Sequence, residues 1–263
     1  MKIVRYQEGD RARYGVLEEG GLIRRLEGTP YESPAPDGTA TRSESVRILS
    51  PVSAPRIFGL GLNYADHAAE GGKAHPPQPM LFMKPSTAAI GPEEPIIYPA
   101  AGGDLEVHFE AELVAVIGRK ARRVGVSEAL DHVLGYTCGN DVSERVIQRA
   151  EMKEGCLLMG KGYDTFCPLG PAIVTGLDPT DLLLLARVNG RERQRTNTSD
   201  LIYPVAEIVS YMSQAMTLLP GDVILTGTPS GVGPVYPGDR VEIEIPQVGV
   251  LSNPVVAEGS KGS

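Results

Sequence analysis

The chain has 263 residues, 41% of them hydrophobic and 22% charged, with no Trp, four Phe, 31 Gly and 22 Pro, the balance of a globular protein rich in turns and short strands, with one large core or a small domain beside a large one. A net charge of −8 excludes a nucleic-acid backbone as partner, which needs a basic face, and no apolar run is long enough to span a membrane. The start turns polar directly after Met1, unlike a secretion signal, and Cys138, Cys156 and Cys167 lack metal-type spacing, so they read as reduced, mostly buried thiols of a cytoplasmic protein.

Residues 1–30 alternate short strand-like runs with glycine turns such as Gly20-Gly21. A proline-rich connection at 29–38 follows, and residues 1–50 are expected to form a small N-terminal β module, joined through 46–52 to a continuous remainder, 51–263. Strands are predicted at 56–60, 111–117, 183–188, 222–226 and 240–245. Helical patterns are fewer. At 204–217, Val205, Ile208, Val209, Met212 and Met216 make one apolar stripe behind Pro204 at a first-turn position. A second helical segment runs over 127–134 and stops at Gly135, and a third follows Asp141, where Asp-x-x-Glu reads as a capping box with Asp141 at the N-cap. The fold class is mainly β (α+β).

Along 104–112, Asp104, Glu106, His108, Glu110 and Glu112 alternate with apolar residues, and an apolar run follows at 113–117. The period of two gives a strand with one polar face that runs into the interior. It carries Glu110 and Glu112 toward buried surroundings, where two unpaired like charges are costly. A hard divalent cation, Mg²⁺, Mn²⁺ or Ca²⁺, is the simplest remedy. A solvated sheet face is the plainer alternative for an isolated E-x-E, and the apolar run weakens it. His67 and Glu70, three apart, share a face on a helical turn, and a carboxylate that holds an imidazole raises its basicity, as a general base requires. The loop at 71–79, with two glycines and three prolines, follows directly; an incidental surface pair competes with a dyad on a mobile lid. Lys161 sits in a glycine-flanked turn and could stabilise an oxyanion. The Gly/Thr loop at 226–233 could offer backbone N–H groups to a carboxylate, a tight structural turn being the alternative. Asp141 can serve as a third metal ligand, with Arg145 one turn on facing a bound anion.

In combination these segments resemble the fumarylacetoacetate hydrolase superfamily, its short bacterial acylpyruvase and hydroxyhepta-dienedioate isomerase-like branch in particular. The resemblance covers roughly residues 46–256. It runs through Gly61-Leu-Asn-Tyr-x-x-His-x-x-Glu70, Phe82-Met-Lys-Pro85, Phe109-Glu-Ala-Glu-Leu113, Asn140-Asp-Val-Ser143, Lys161-Gly-Tyr-Asp-Thr-Phe166, the stretch from Gln194 to Asp200, and most specifically 217–233. It implies a mixed β-sandwich roll, a homodimer, and an active-site Mg²⁺ or Mn²⁺ held by Glu110, Glu112 and Asp141. His67 and Glu70 take the place of the lid dyad and Lys161 that of the catalytic lysine. Arg145, Gln148 and the Thr228 loop are expected to meet the carboxylate or oxo groups of a small anionic oxo acid, with Lys84 and Tyr163 as further substrate-binding candidates. Glu144 and Val146 depart from the family pattern, where a small residue and an acid are common. The activity implied is hydrolysis of a C–C bond in an acylpyruvate or related 1,3-diketo acid through a metal-stabilised enolate. Alternatives are isomerisation or decarboxylation of an unsaturated oxo-diacid in aromatic catabolism, oxaloacetate decarboxylation, and an oxo-acid-binding module without turnover.

Overall fold

The computed structural model describes residues 1–32, 35–53, 55–66, 76–100 and 104–259. The N-terminal strands β1 (Lys2–Glu8), β2 (Arg11–Leu17), β3 (Leu22–Leu26) and β4 (Pro36–Arg42) form an antiparallel meander, and β5 (Ile48–Leu49) pairs with β1. Next come β6 (Ile57–Gly61), β7 (Met80–Lys84), β8 (Ala89–Ile90), β9 (Ile96–Tyr98), β10 (Val107–Phe109) and β11 (Ala111–Ile117). They are followed by β12 (Val133–Asn140), β13 (Ser143–Glu144), helix α1 (Arg145–Lys153) and β14 (Cys167–Val174). The chain closes with β15 (Leu183–Val188), β16 (Arg191–Asn197), helix α2 (Val205–Ala215), β17 (Val223–Leu225), β18 (Gly233–Pro234), β19 (Arg240–Ile245) and β20 (Gly249–Ala257).

Among the described residues the largest sheet has the order β4-β3-β2-β1-β14-β12-β11-β17-β6-β7, a second has β16-β15-β19-β20-β9, and a small third has β13-β10-β18. The strand β11 explains the layering. All seven of its residues are buried, as a strand covered on both faces requires. Leu113, Ala115 and Ile117 belong to the core shared with Leu184, Ala186 and Ile243 of the second sheet. Val114 and Val116 point the other way, into a cluster with Leu169, Ile173, Leu225 and Ile3. The period-two alternation thus splits one strand between two cores. Residues 1–50 extend the largest sheet through β1, where Lys2 pairs with Val174 and Ile3 with Ile173.

The five strands expected from the sequence all occur, within a residue or two of their bounds at 56–60, 111–117, 183–188, 222–226 and 240–245. Helix α2 follows Pro204 and buries Val205, Ile208, Val209 and Met212, while Met216 falls at its C-cap. Three readings are corrected. The segment 127–134 is a 3₁₀ helix over Val126–His132, and Val133 and Leu134 already belong to β12; Val133 is drawn into the sheet by its pairing with Ile117. Helix α1 begins at Arg145 rather than directly after Asp141, and its N-cap is Glu144, whose carboxylate accepts the N–H groups of Val146 and Ile147. Asp141 is turned inward instead, toward two lysines. Cys138 and Cys167 are buried but Cys156 is exposed. No helix among the described residues is long and apolar enough to cross a membrane.

Candidate metal centre and active site

The centre forms where β10 gives way to β11 and where β12 ends. The Glu110 N–H donates to Asn140 Oδ1 at 3.0 Å, and the Asp141 N–H donates to the Glu110 carbonyl at 2.9 Å. Glu112 lies opposite Gly139 in the sheet, and the Ala111 N–H is held by Gln194 Oε1 at 2.9 Å. These contacts lock the backbone so that carboxylate oxygens of Glu110, Glu112 and Asp141 lie within 4.8 Å of one another. The three residues are 5%, 1% and 0% exposed, a depth at which three like charges persist only with partners.

Partners come from three further segments. Lys161, at the end of a 3₁₀ turn over Met159–Lys161, places Nζ 2.8 Å from Glu110 Oε2 and 2.5 Å from Asp141 Oδ2. Lys84, the last residue of β7, donates to Asp141 Oδ1 at 2.5 Å and to the Val142 carbonyl at 2.9 Å. Arg145 Nη2 lies 2.6 Å from Glu110 Oε1, while its Nη1 donates to Gln148 Oε1 at 2.7 Å. Burial disfavours the charge on Lys161, but Asp141 and Glu110 outweigh it and hold the ammonium protonated above its ordinary range.

Glu112 is the exception. Its Oε2 accepts the Gly227 N–H at 2.6 Å, but its buried Oε1 has no hydrogen-bond partner. Burial first, then the charges of Asp141 and Glu110, raise its proton affinity well above the usual carboxylate range. A buried carboxylate oxygen left open beside two more carboxylates is what a hard divalent cation satisfies. Each carboxylate oxygen has more than one lone pair, so the lysine contacts leave coordination capacity on Glu110 and Asp141. The donor set fits Mg²⁺ or Mn²⁺.

A cavity of about 220 Å³ reaches this cluster at Glu110 and Lys161, with Glu112 and Asp141 behind its wall. Glu110, Lys161, Arg145, Gln148, Arg149 and Thr228 form its polar wall, and Leu60, Phe82, Met152 and Leu157 are among its apolar wall. A wider groove of about 460 Å³, bounded by Leu26, Tyr31, Arg119 and Leu134, brings no comparable set of buried charges together, so the smaller cavity is the candidate active site.

The structure therefore assembles Glu110, Glu112, Asp141, Lys161, Arg145, Gln148 and Thr228 in one place. Lys84 stands behind it: its side chain is wholly buried against Asp141, and the cavity wall does not include it. Tyr163 also stands apart, its ring 5.1 Å from that of Phe166 and packed on the core. His67 and Glu70 lie outside the described residues. Several residues without an assigned role prove to build the site. Gln194, only 1% exposed, donates to Thr228 Oγ1 and the Pro229 carbonyl, both at 2.9 Å, and fixes the loop that carries Thr228. The Glu151 carboxylate accepts the N–H groups of Leu158, Met159 and Gly160 and anchors the turn that delivers Lys161. The spacing Arg145, Gln148, Arg149, Met152 is the sequence signal for one cavity-facing side of α1.

Residues 56–256 match the family model "Fumarylacetoacetate (FAA) hydrolase C-terminal", and residues 1–51 match "Rv2993c-like, N-terminal". Protein Rv2993c of Mycobacterium tuberculosis is 48% identical over 90% of this chain and 88% of its own length. The oxaloacetate tautomerase FAHD2A, mitochondrial, of Bos taurus is 43% identical over 82% of this chain and 71% of its own. Among solved structures, a 2-hydroxyhepta-2,4-diene-1,7-dioate isomerase from Mycobacterium marinum superposes with a TM-score of 0.88 at 42% identity, covering 99% of this chain and 100% of that one. The maleylpyruvate hydrolase from Sphingobium sp. SYK-6, in complex with manganese(II) and pyruvate, superposes with a TM-score of 0.81 at 33% identity, covering 98% and 99%. With its β-rich layers, buried acidic triad and full-length relatives in agreement, the chain belongs to the fumarylacetoacetate hydrolase family.

Proposed function

We propose that this chain is a divalent-metal-dependent enzyme that hydrolyses a C–C bond in an acylpyruvate or related 2-oxo, 1,3-diketo acid. The observation that carries the reading is the open, unpartnered Oε1 of Glu112 within a triad of buried carboxylates that borders a cavity with a polar wall. Mg²⁺ or Mn²⁺ held by Glu110, Glu112 and Asp141 would supply a Lewis acid for the oxygens of a 2-oxo acid. In this reading Lys161, whose Nζ lies 2.8 Å from Glu110 Oε2 and 2.5 Å from Asp141 Oδ2, donates to developing negative charge. Arg145, Gln148 and Thr228 present donors to the substrate's carboxylate and oxo groups. The general base in this reading is His67 held by Glu70, which activates water for attack on the distal carbonyl and leaves pyruvate as a product. Gln194 and Glu151 act as positioning residues for the Thr228 loop and for Lys161.

A second reading, tautomerisation, isomerisation or decarboxylation of an oxo-diacid, is favoured by the 43%-identical oxaloacetate tautomerase and the 42%-identical dioate isomerase. It uses the same polar wall and differs in what happens beyond the oxo group. The test is a panel of acetylpyruvate, fumarylpyruvate, oxaloacetate and a hydroxy-dienedioate with Mg²⁺ or Mn²⁺, followed for pyruvate, CO₂ and enol absorbance. Hydrolysis predicts pyruvate from the acylpyruvates, abolished by EDTA and lost in His67→Ala with unchanged metal content. CO₂ and pyruvate together from oxaloacetate, or an enol absorbance change without pyruvate, with no pyruvate from the acylpyruvates, moves the assignment to the second reading.

A further inference from the structure

Helix α1 presents Arg145, Gln148, Arg149 and Met152 to the cavity, positions i, i+3, i+4 and i+7 of one face. The face changes character along its length. Arg145 and Gln148, in the first turn, are hydrogen-bonded to each other, and Arg145 also contacts Glu110. Met152, about 10 Å farther along the axis at 1.5 Å per residue, is apolar and half-buried, and Leu157 beyond the helix joins it on the wall. Opposite chain segments repeat the apolar character. Leu60 and Phe82 are buried at 3% and 7% exposure, and Met80, at 41%, sits toward solvent. Leu62 also lines the cavity and holds a left-handed backbone, φ 57°, a conformation that costs a branched side chain energy and persists where the surroundings enforce it.

We infer that the substrate carries an apolar tail beyond its fourth carbon, with no second carboxylate at the far end. The inference rests on the site being one for 2-oxo acids, and it sets this chain apart from the dioate isomerase and maleylpyruvate hydrolase it resembles. Of the described cations on the cavity wall, Lys161 and Arg145 stand beside Glu110, at the end where the 2-oxo acid head takes their donors, and Arg149, one turn before Met152, is paired with Glu106 at the solvent rim. A terminal carboxylate among Met152, Leu157, Leu60 and Phe82 would give up water without gaining a free cation from this wall, whereas a hydrocarbon end gains by burial.

The experiment is a calorimetric titration of the full chain in Mg²⁺ with three ligands that lack a 4-oxo group: pyruvate, 2-oxoheptanoate and 2-oxoheptanedioate. The last two have the same number of carbons and differ in a methyl against a carboxylate at the end. Pyruvate binding establishes the 2-oxo acid site independently of any tail. The expected result is then at least tenfold tighter binding of 2-oxoheptanoate than of 2-oxoheptanedioate. Met152→Arg, and separately the exposed Met80→Lys, are expected to erase that ratio. Equal or tighter binding of the dicarboxylate by the native chain overturns the inference and leaves the 2-oxo acid reading standing. A preference that survives in both variants overturns its assignment to this wall. Absence of pyruvate binding removes the reading and the inference together.

Discussion

At the scale of single residues, the centre is organised around an imbalance. Glu110 and Asp141 have cationic partners, and Glu112 has one backbone N–H and an open oxygen. Its raised proton affinity fixes a sign. Between the ordinary carboxylate value and its own, the folded chain binds more protons than the unfolded one, so without metal this group makes stability fall as pH rises through that window. A cation competes with the same proton. Mn²⁺ affinity should therefore increase with pH, with proton release measurable by titration in buffers of different ionisation enthalpy. Glu112→Gln should lower Mn²⁺ affinity by roughly 100-fold or more while leaving the metal-free melting temperature at pH 8 equal or higher; a clear loss of metal-free stability would contradict this account. Glu151 has the opposite sign. Burial works against its charge, but the N–H groups of Gly160, Met159 and Leu158 prevail and hold its carboxyl below the usual range. Its contribution is present above the unfolded carboxylate value and disappears as pH falls through the folded one. Glu151→Gln should flatten the acid limb of the stability profile, read from melting temperatures between pH 6 and 3, and lower kcat through Lys161 more than it raises KM.

At the scale of elements, α1 and the turn that follows it behave as one part. Glu144 caps the helix and also accepts the Glu106 N–H at 3.0 Å, tying α1 to the strand before Glu110. Gly160 closes the other side: a Cβ there would stand 2.6 Å from the Gln148 nitrogen and 2.7 Å from its Cα. Gly160→Ala must push the Lys161 turn away from the helix. The expected cost is about 1–3 kcal/mol of stability by denaturant unfolding, with a larger proportional loss of kcat/KM. This scale also divides what the sequence made legible from what it did not. The alternation at 104–112 followed by an apolar run placed Glu110 and Glu112 inward, because strand periodicity depends only on neighbouring residues, but the single strand it implied is divided at Glu110 between β10 and β11, which belong to different sheets. The cap was misread because Asp141 and Glu144 both suit a capping box, and only the inward pull of Lys84 and Lys161 shows which carboxylate serves the helix. The 3₁₀ turn at Val126–His132 was likewise decided by Ile117, which claims Val133 for the sheet. The apolar cavity wall was hidden for a similar reason: Leu60, Met80, Phe82 and Leu157 come from segments far apart in sequence, each with a pattern that reads equally well as core.

For the whole molecule, the N-terminal strands complete a sheet that also carries the buried acidic triad. Strand β1 pairs with β14, β14 with β12 and β12 with β11, and Ile3 and Leu26 fill the cluster behind Val114 and Val116. Removing residues 1–50 should bare one edge of β14 and that cluster. With about 1.5–3 kcal/mol for each large apolar side chain lost, and about 2–4 °C per kcal/mol for a chain of this size, the melting temperature should fall by roughly 10 °C or more, or the shortened chain should aggregate. A truncated chain that melts where the full one does would show that the strands contribute no support to the remainder. The net charge of −8 belongs to this scale too: it disfavours approach of an anion from solution, so attraction of the proposed 2-oxo acid has to be local to the cavity.

Nine residues of α1, Arg145–Lys153, carry the polar pair Arg145 and Gln148, one residue of the apolar wall and the clamp on the lysine turn, with Met152 directly beside Glu151. Preference for a new substrate and integrity of the reacting groups are therefore inherited together along this helix. Changes there should combine non-additively, with gains at one position depending on which residue already occupies the next. Divergence within this architecture meets less resistance on the facing strand β7, where the exposed Met80 can be exchanged without disturbing either the cap or the clamp.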